Sequence, residues 1–81
     1  MIPTILILGA GGQIGSELTE KLRTIYGSNH VIASDIRNNN TQLMNSGPFE
    51  IIDATDKEAI LNIVRKYGVT QIYLLAAMLS A

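Results

Sequence analysis

The sequence predicts an α/β fold in which short buried strands alternate with amphipathic helices around a parallel sheet. Apolar runs that do not alternate with polar residues, such as Thr4–Leu8, are typical of parallel strands covered on both faces. Between such runs, apolar residues recur at helical spacing, as at Leu18 and Leu22. Because the chain has 81 residues, we expect a single, incomplete domain over residues 1–81.

Four strands are predicted in this order: Thr4–Leu8, Val31–Ala33, Phe49–Ile52 and Gln71–Leu75. The second strand ends near Asp35. The pattern is β-α-β-β-α-β, and right-handed crossovers between parallel strands place the strands in the order 3-2-1-4. The carboxyl ends of all four strands then face one edge, which is where open parallel sheets bind ligands.

Two helices connect these strands. The first should bury an apolar stripe and stop at Gly27; the stripe consists of Ile14, Leu18, Leu22 and Ile25. The second should begin with a capping box, in which Thr55 is the N-cap and Glu58 the reciprocal acid, and should stop at Gly68. Its buried face is predicted to contain Ile60, Ile63, Val64 and Tyr67. The polar segment from Asn38 to Pro48 is predicted to be a loop.

A glycine-rich segment joins the first strand to the first helix. Gly9, Gly12 and Gly15 recur every third residue, with Gly11 as an additional glycine. Glycine at these positions allows a sharp turn, a close approach of phosphate to the backbone, and close packing of the helix on the sheet. The N–H groups of Gln13 and Ile14 would then point from the helix N-terminus at a diphosphate. The simpler interpretation, a structural turn without a ligand, is the weaker of the two.

Asp35 lies at the end of the second strand, twenty residues after Gly15. An acid at this separation accepts hydrogen bonds from the adenosine ribose in dinucleotide-binding units. The carboxylate repels a 2′-phosphate, which favours NAD over NADP, although Arg37 nearby is able to attract such a phosphate. Asp53 either contacts the adenine, together with Ala54, or belongs to the start of the following helix.

Composition excludes several classes of function. The net charge is −1 without a basic cluster, which argues against nucleic acid and anionic membranes as partners. The chain has no cysteine and one histidine, His30, which follows Asn and Ser in a predicted surface turn, so we expect no metal site. The lack of cysteine and of a signal-like N-terminus fits a cytoplasmic protein.

Taken together, these residues resemble the extended branch of the short-chain dehydrogenase/reductase superfamily, the NAD-dependent epimerase/dehydratase-like proteins. The fold would then be a partial Rossmann fold. Within the branch, the chain is most similar to the NAD-dependent L-threonine 3-dehydrogenases. The similar stretches are Gly12–Gly15, Val31–Arg37, Asn45–Glu50 and Ala76–Ala81.

The resemblance implies roles for individual residues. The turn around Gly12–Gly15 would bind the diphosphate. The other residues that it implies for NAD are Asp35, Ile36 and Arg37 at the adenosine ribose and adenine, Asp53 and Ala54 at the adenine, and Leu75, Ala76 and Ala77 at the nicotinamide ribose. Ser80 would approach the substrate, L-threonine. The resemblance also implies a homo-oligomer, a dimer, for the whole enzyme.

The catalytic pair of this family is missing. These enzymes use a tyrosine followed four positions later by a lysine, but His30, Gln71 and Ala77 stand four positions after Tyr26, Tyr67 and Tyr73. We therefore expect no catalytic residue in this chain and no turnover by it alone. Three interpretations stay open: the NAD-binding part of an L-threonine dehydrogenase, that of a sugar-nucleotide epimerase or dehydratase, and a non-catalytic NAD-binding module.

Overall fold

A computed structural model describes residues 2–37 and 40–75. Its strands are β1 (Ile5–Leu8), β2 (Val31–Asp35), β3 (Phe49–Ile51) and β4 (Gln71–Leu74). Its α-helices are α1 (Gln13–Tyr26), α2 (Thr41–Ser46) and α3 (Lys57–Tyr67), and a 3₁₀ turn covers Ser28–His30. None of the described helices is long and apolar enough to cross a membrane.

The four strands form one parallel sheet in the order β3-β2-β1-β4, which confirms the predicted topology. The last residue of β1, Leu8, lies opposite Ser34 of β2 and Leu74 of β4. The carboxyl ends of the strands therefore share one edge. At the outer edge, Ile72 and Leu74 of β4 are half-exposed.

β1 is buried on both faces, as its unbroken apolar sequence predicts. Ile5 and Ile7 pack with Leu22 of α1 and Leu43 of α2. Leu6 and Leu8 point to the opposite face, where they pack in one cluster with Ile63 of α3. The sheet is thus a central layer between two layers of helices.

The predicted buried stripe of α1 is wrong at both ends. Ile14 is 76% exposed and Ile25 is 59% exposed. Leu22 is buried as predicted, and the other buried positions are Gly15, Thr19 and Arg23. The physical reason is that α1 packs through its small residue Gly15, which turns the neighbouring Ile14 toward solvent. The hydroxyl of Thr19 donates to the Gly15 carbonyl at 2.7 Å, so this buried polar side chain is satisfied.

The predicted loop before β3 contains the helix α2. The side-chain oxygen of Asn40 accepts the N–H of Leu43 at 3.2 Å and caps the helix, and Gly47 follows its last residue. Leu43 is buried against the α1 side of the sheet. The two apolar residues of α2, Leu43 and Met44, are adjacent and form no stripe, so the sequence pattern of this short helix is that of a loop.

The start of α3 also differs from the prediction. The N-cap is Asp56, whose carboxylate accepts the N–H of Ala59 at 3.1 Å. Thr55 lies outside the helix, and both its N–H and its hydroxyl donate to Asp53, at 2.9 and 2.7 Å. The prediction was one residue early because Thr and Asp are both good capping residues. The stop at Gly68, in a left-handed conformation at φ 69°, is confirmed.

A polar contact joins β3 to the end of α3. Glu50 accepts hydrogen bonds from the Tyr67 hydroxyl at 2.6 Å and from the Lys66 ammonium at 3.1 Å. Burial alone would raise the pKa of Glu50, but these two donors outweigh it and lower the pKa from its usual value of 4.5. The contact therefore stabilises the fold most when Glu50 is ionised.

This contact predicts a pH dependence. A lowered pKa in the folded state means that the stabilisation is present above about pH 4.5 and is lost as the pH falls through the folded value. We expect Glu50→Gln to remove this component, which is under about 1 kcal/mol because the pair is partly solvated. Melting temperatures from about pH 7 to about pH 3 should fall less steeply in Glu50→Gln than in the unchanged chain. The control is Glu17→Gln on an exposed part of α1; equal slopes in all three proteins would contradict the prediction.

Candidate functional site

The turn after β1 is fixed by β2. Gly9 has a φ of 86°, a conformation that side chains rarely allow, and the chain reverses direction there. The N–H groups of Gly9 and Ala10 both donate to the Ser34 carbonyl, at 3.0 and 2.8 Å. The buried hydroxyl of Ser34 in turn donates to the Ile7 carbonyl at 2.8 Å. The turn therefore has little freedom relative to the end of the sheet.

The two glycines of the helix start differ in their surroundings. A Cβ on Gly15 would lie 2.6 Å from the Gly9 carbonyl oxygen and 2.8 Å from the Ala10 Cα, both backbone atoms. A Cβ on Gly12 would meet nothing within 4 Å. Gly15 thus lets α1 approach the turn, whereas Gly12 borders open space.

The beginning of α1 presents backbone amides from three exposed residues, Gly12, Gln13 and Ile14, and one amide from the buried Gly15. Within residues 2–37 and 40–75, the N–H groups of Gly12, Gln13, Ile14 and Gly15 donate to no other group. The first turn of any α-helix leaves such donors, and the aligned peptide dipoles give this end a partial positive charge. An anion placed beside the open space at Gly12 would satisfy them.

The carboxylate of Asp35 accepts a hydrogen bond from this turn. Its Oδ2 accepts the Gly11 N–H at 2.7 Å, and its Oδ1 accepts the Ile36 N–H at 2.7 Å. A Cβ on Gly11 would lie 2.6 Å from Oδ2, so the additional glycine of the sequence is the one that allows the contact. Each carboxylate oxygen retains lone-pair capacity for a further donor. The glycine turn and the acid, separated in sequence, are adjacent in space.

The other predicted site residues fall into four groups. Ile36 and Arg37 are exposed immediately after Asp35. The exposed carboxylate of Asp53 holds Thr55, whose backbone and side-chain hydrogen bonds lower the pKa of Asp53, while Ala54 packs against the α3 side of the core. Leu75 donates its N–H to the Leu8 carbonyl at 2.9 Å. Ala76, Ala77 and Ser80 lie outside the described residues.

Arg23 has a structural role that the sequence does not indicate: it is a charged side chain of α1 that is only 5% exposed. Its guanidinium donates to the carbonyls of Val31, Leu43 and Pro48 and to the Ser46 hydroxyl, at 2.6 to 3.1 Å. Burial lowers the pKa of Arg23, and the nearby Glu20 raises it. A Cβ on Gly47 would lie 2.6 Å from the guanidinium Nε, so the glycine after α2 leaves the space that the guanidinium fills.

The remaining titratable side chains do not form a catalytic or metal centre in the described part of the chain. No group of three or more His, Asp or Glu residues is placed to hold a metal ion there. The hydroxyl of Tyr67 is bonded to Glu50, on the α3 side of the sheet. His30 lies in the 3₁₀ turn that precedes β2, at the opposite end of that strand from Asp35.

Comparison with known proteins agrees with this geometry. The sequence model of the NAD dependent epimerase/dehydratase family matches residues 5–81. The chain belongs to this family. A relative described as an uncharacterized epimerase/dehydratase, from Staphylococcus haemolyticus, is 46% identical over 78 residues, which are 95% of this chain and 24% of that protein.

Solved structures similar to this chain include L-threonine dehydrogenases. The enzyme of Clostridium difficile is 51% identical with a TM-score of 0.85, over 91% of this chain and 24% of that one. The GalE-like enzyme of Cupriavidus necator, solved in its holo form, is 43% identical with a TM-score of 0.83, over 91% of this chain and 23% of that one. The chain thus spans about a quarter of the length of these relatives.

The contrast between Gly15 and Gly12 predicts effects of different size for the same substitution. In an open helix, Gly→Ala stabilises by about 1 kcal/mol. At Gly15 we expect a loss of about 1–3 kcal/mol instead, because the new methyl group meets backbone atoms that cannot rotate away. Gly12→Ala is the matched control and should change stability by less than about 1 kcal/mol. Chemical denaturation measures both; a Gly15→Ala chain as stable as Gly12→Ala would contradict the close packing.

Proposed function

We propose that the chain is the NAD-binding part of an oxidoreductase that oxidises L-threonine to 2-amino-3-ketobutyrate. The observation that carries this proposal is the hydrogen bond from the Gly11 N–H of the glycine turn to the Asp35 carboxylate, beside the backbone amides at the start of α1. The similarity to L-threonine dehydrogenases, at 51% and 43% identity, supports the substrate.

The residues present fit NAD. The amides of Gln13 and Ile14 would donate to the diphosphate, and the open space at Gly12 leaves room for it. The unused lone pairs of Asp35 would accept hydrogen bonds from the ribose hydroxyl groups, while its negative charge would repel a 2′-phosphate. When bound, NAD⁺ supplies the hydride acceptor for oxidation of the threonine hydroxyl, and the products are 2-amino-3-ketobutyrate, NADH and a proton.

Other residues would complete the cofactor site. We place Ile36 and Arg37 at the adenosine side, because both are exposed directly after Asp35. Since the carboxylate of Asp53 already binds Thr55, the backbone around Ala54 is the better candidate for contact with the adenine. Leu75, Ala76 and Ala77 would border the nicotinamide ribose, and Ser80 would approach the substrate.

A second candidate is a sugar-nucleotide epimerase or dehydratase. It is favoured by the description of the family and of the relative at 46% identity, and it needs the same turn and the same acid. A non-catalytic NAD-binding module is the third, because no tyrosine is followed by a lysine at the required spacing in these 81 residues. The half-exposed apolar side chains of β4 favour a larger sheet, and they predict self-association of the chain by itself.

The cofactor assignment predicts a binding preference. Isothermal titration of the 81-residue chain should show NAD⁺ binding, weak in a chain of this length, with NADP⁺ weaker by at least about tenfold through repulsion from Asp35. Gly12→Ala should bind NAD⁺ less well while keeping its melting temperature, because its methyl group occupies the open space. Asp56→Ala, at the cap of α3, is the control that lowers stability without touching this site. Equal binding of NAD⁺ and NADP⁺ would overturn the role of Asp35 and point to Arg37.

The catalytic assignment predicts that the 81-residue chain and the full-length protein differ in activity. The 81-residue chain should form no NADH from L-threonine, because it has no tyrosine–lysine pair. The full-length protein should form NADH and 2-amino-3-ketobutyrate in equal amounts, measured by absorbance and by mass spectrometry. Conversion of a sugar nucleotide in place of threonine would support the second candidate, and turnover by the chain alone would contradict the absence of catalytic residues.

A further inference from the structure

We propose that Ser16 and Asn40 are positioning residues, which connect the glycine turn to α2 and thereby hold the two sides of the adenosine diphosphate site at a fixed separation. This inference rests on the proposed function, because the separation matters only if a dinucleotide spans it. Neither residue belongs to the set predicted to touch the cofactor.

The connection is a chain of hydrogen bonds. The side-chain amide of Asn40 donates to the Ser16 Oγ at 3.0 Å. That hydroxyl lies 2.7 Å from the Gly12 carbonyl and 3.1 Å from the Ala10 carbonyl, both in the turn. A serine hydroxyl has one proton and two lone pairs, so it donates to the turn and accepts from Asn40 at the same time. Ser16 is therefore the link between the turn and α2.

The amide of Asn40 has only one orientation that satisfies its neighbours. Its oxygen accepts the N–H of Leu43 at 3.2 Å and caps α2, which leaves the NH₂ group facing Ser16. The reversed orientation would place two donors against each other at Leu43 and lose the cap. One side chain thus begins α2 and attaches it to α1.

Two further residues of α1 extend the attachment into a continuous row of hydrogen bonds, called the seam below. Ser16, Glu20 and Arg23 are spaced four and three residues apart and therefore lie on one face of α1. Glu20 accepts a hydrogen bond from the Gln42 side chain at 2.6 Å. Arg23 donates to the Leu43 carbonyl and to the Ser46 hydroxyl, both at 2.8 Å. Hydrogen bonds are directional, so this seam fixes α2 along α1 more strictly than an apolar contact does.

The location of Asn40 connects the seam to the adenosine side. Asn40 follows Asp35 by five residues, and Ile36 and Arg37 lie between them. Asp35 is bonded to the turn at Gly11, and Asn40 is bonded through Ser16 to the turn at Gly12. Ile36 and Arg37, which would flank the adenosine, thus lie between two residues that are hydrogen-bonded to the turn, Asp35 directly and Asn40 through Ser16. Loss of the connection through Ser16 should lower the affinity for a ligand that contacts both the turn and these two residues.

A double-mutant cycle tests the inference. Ser16→Ala removes the link, and Asn40→Ser removes the amide donor but keeps a capping oxygen and adds no charge. NAD⁺ binding to the 81-residue chain should weaken about two- to tenfold in each single variant. The double variant should be no weaker than the weaker single one, because both substitutions break the same connection. Asp56→Ala, which removes the cap of α3, should lower the melting temperature and leave NAD⁺ affinity unchanged.

The outcomes separate this inference from the proposed function. If the unchanged chain does not bind NAD⁺, the proposed function fails, and the inference fails with it. If the unchanged chain binds NAD⁺ and the variants bind it equally well but melt earlier, the pair only braces α2, and NAD binding stands. If the losses of the two single variants add in the double variant, the residues act separately, and the positioning pair is overturned.

Discussion

The close approach of α1 to the end of β1 is the constraint on which the rest of the structure depends. Gly15 brings the helix so near to the turn that a Cβ would lie 2.6 Å from the Gly9 carbonyl oxygen. This contact places the free amides of the helix start at the carboxyl edge of the sheet, beside Asp35. It also sets the rotation of α1, since the face that carries Gly15 and Thr19 is the buried one. The orientation of the site and the choice of core residues in α1 therefore have the same cause.

The sequence predicted the strands better than the helix faces. β1 and β2 are buried apolar runs, and the order β3-β2-β1-β4 follows from the handedness of the crossovers, so both were predictable. The face of α1 was not, because hydrophobic periodicity assigns the exposed Ile14 and Ile25 to the core and cannot register a buried glycine. Spacing alone gave the turn and the acid as candidates; only the structure shows that they are hydrogen-bonded through Gly11.

Arg23 shows why the remaining part of the fold was not predictable. A buried arginine costs free energy unless its donors are satisfied, and here all of its acceptors lie in segments that are remote in sequence, from Val31 to Pro48. The hydrophobic periodicity of α1 does not predict which residues accept hydrogen bonds from Arg23. The same holds for α2, whose apolar contribution to the core is Leu43 while its polar side chains contact α1. Sequence patterns detect elements that bury apolar stripes, whereas α2 buries a single leucine and adds directional polar contacts to α1.

Two kinds of interaction hold different parts of this fold. The sheet and its two helical layers are held by apolar packing, which tolerates small shifts because it is not directional. The corner formed by the turn, Asp35 and Asn40 is held by hydrogen bonds of 2.7 to 3.0 Å. Because hydrogen bonds are directional, they do not tolerate such shifts. A site that must match the length of a diphosphate and the position of a ribose needs the second kind. The corner therefore depends on α1 and α2, whereas α3 packs on the other face of the sheet through Ile63 and its neighbours.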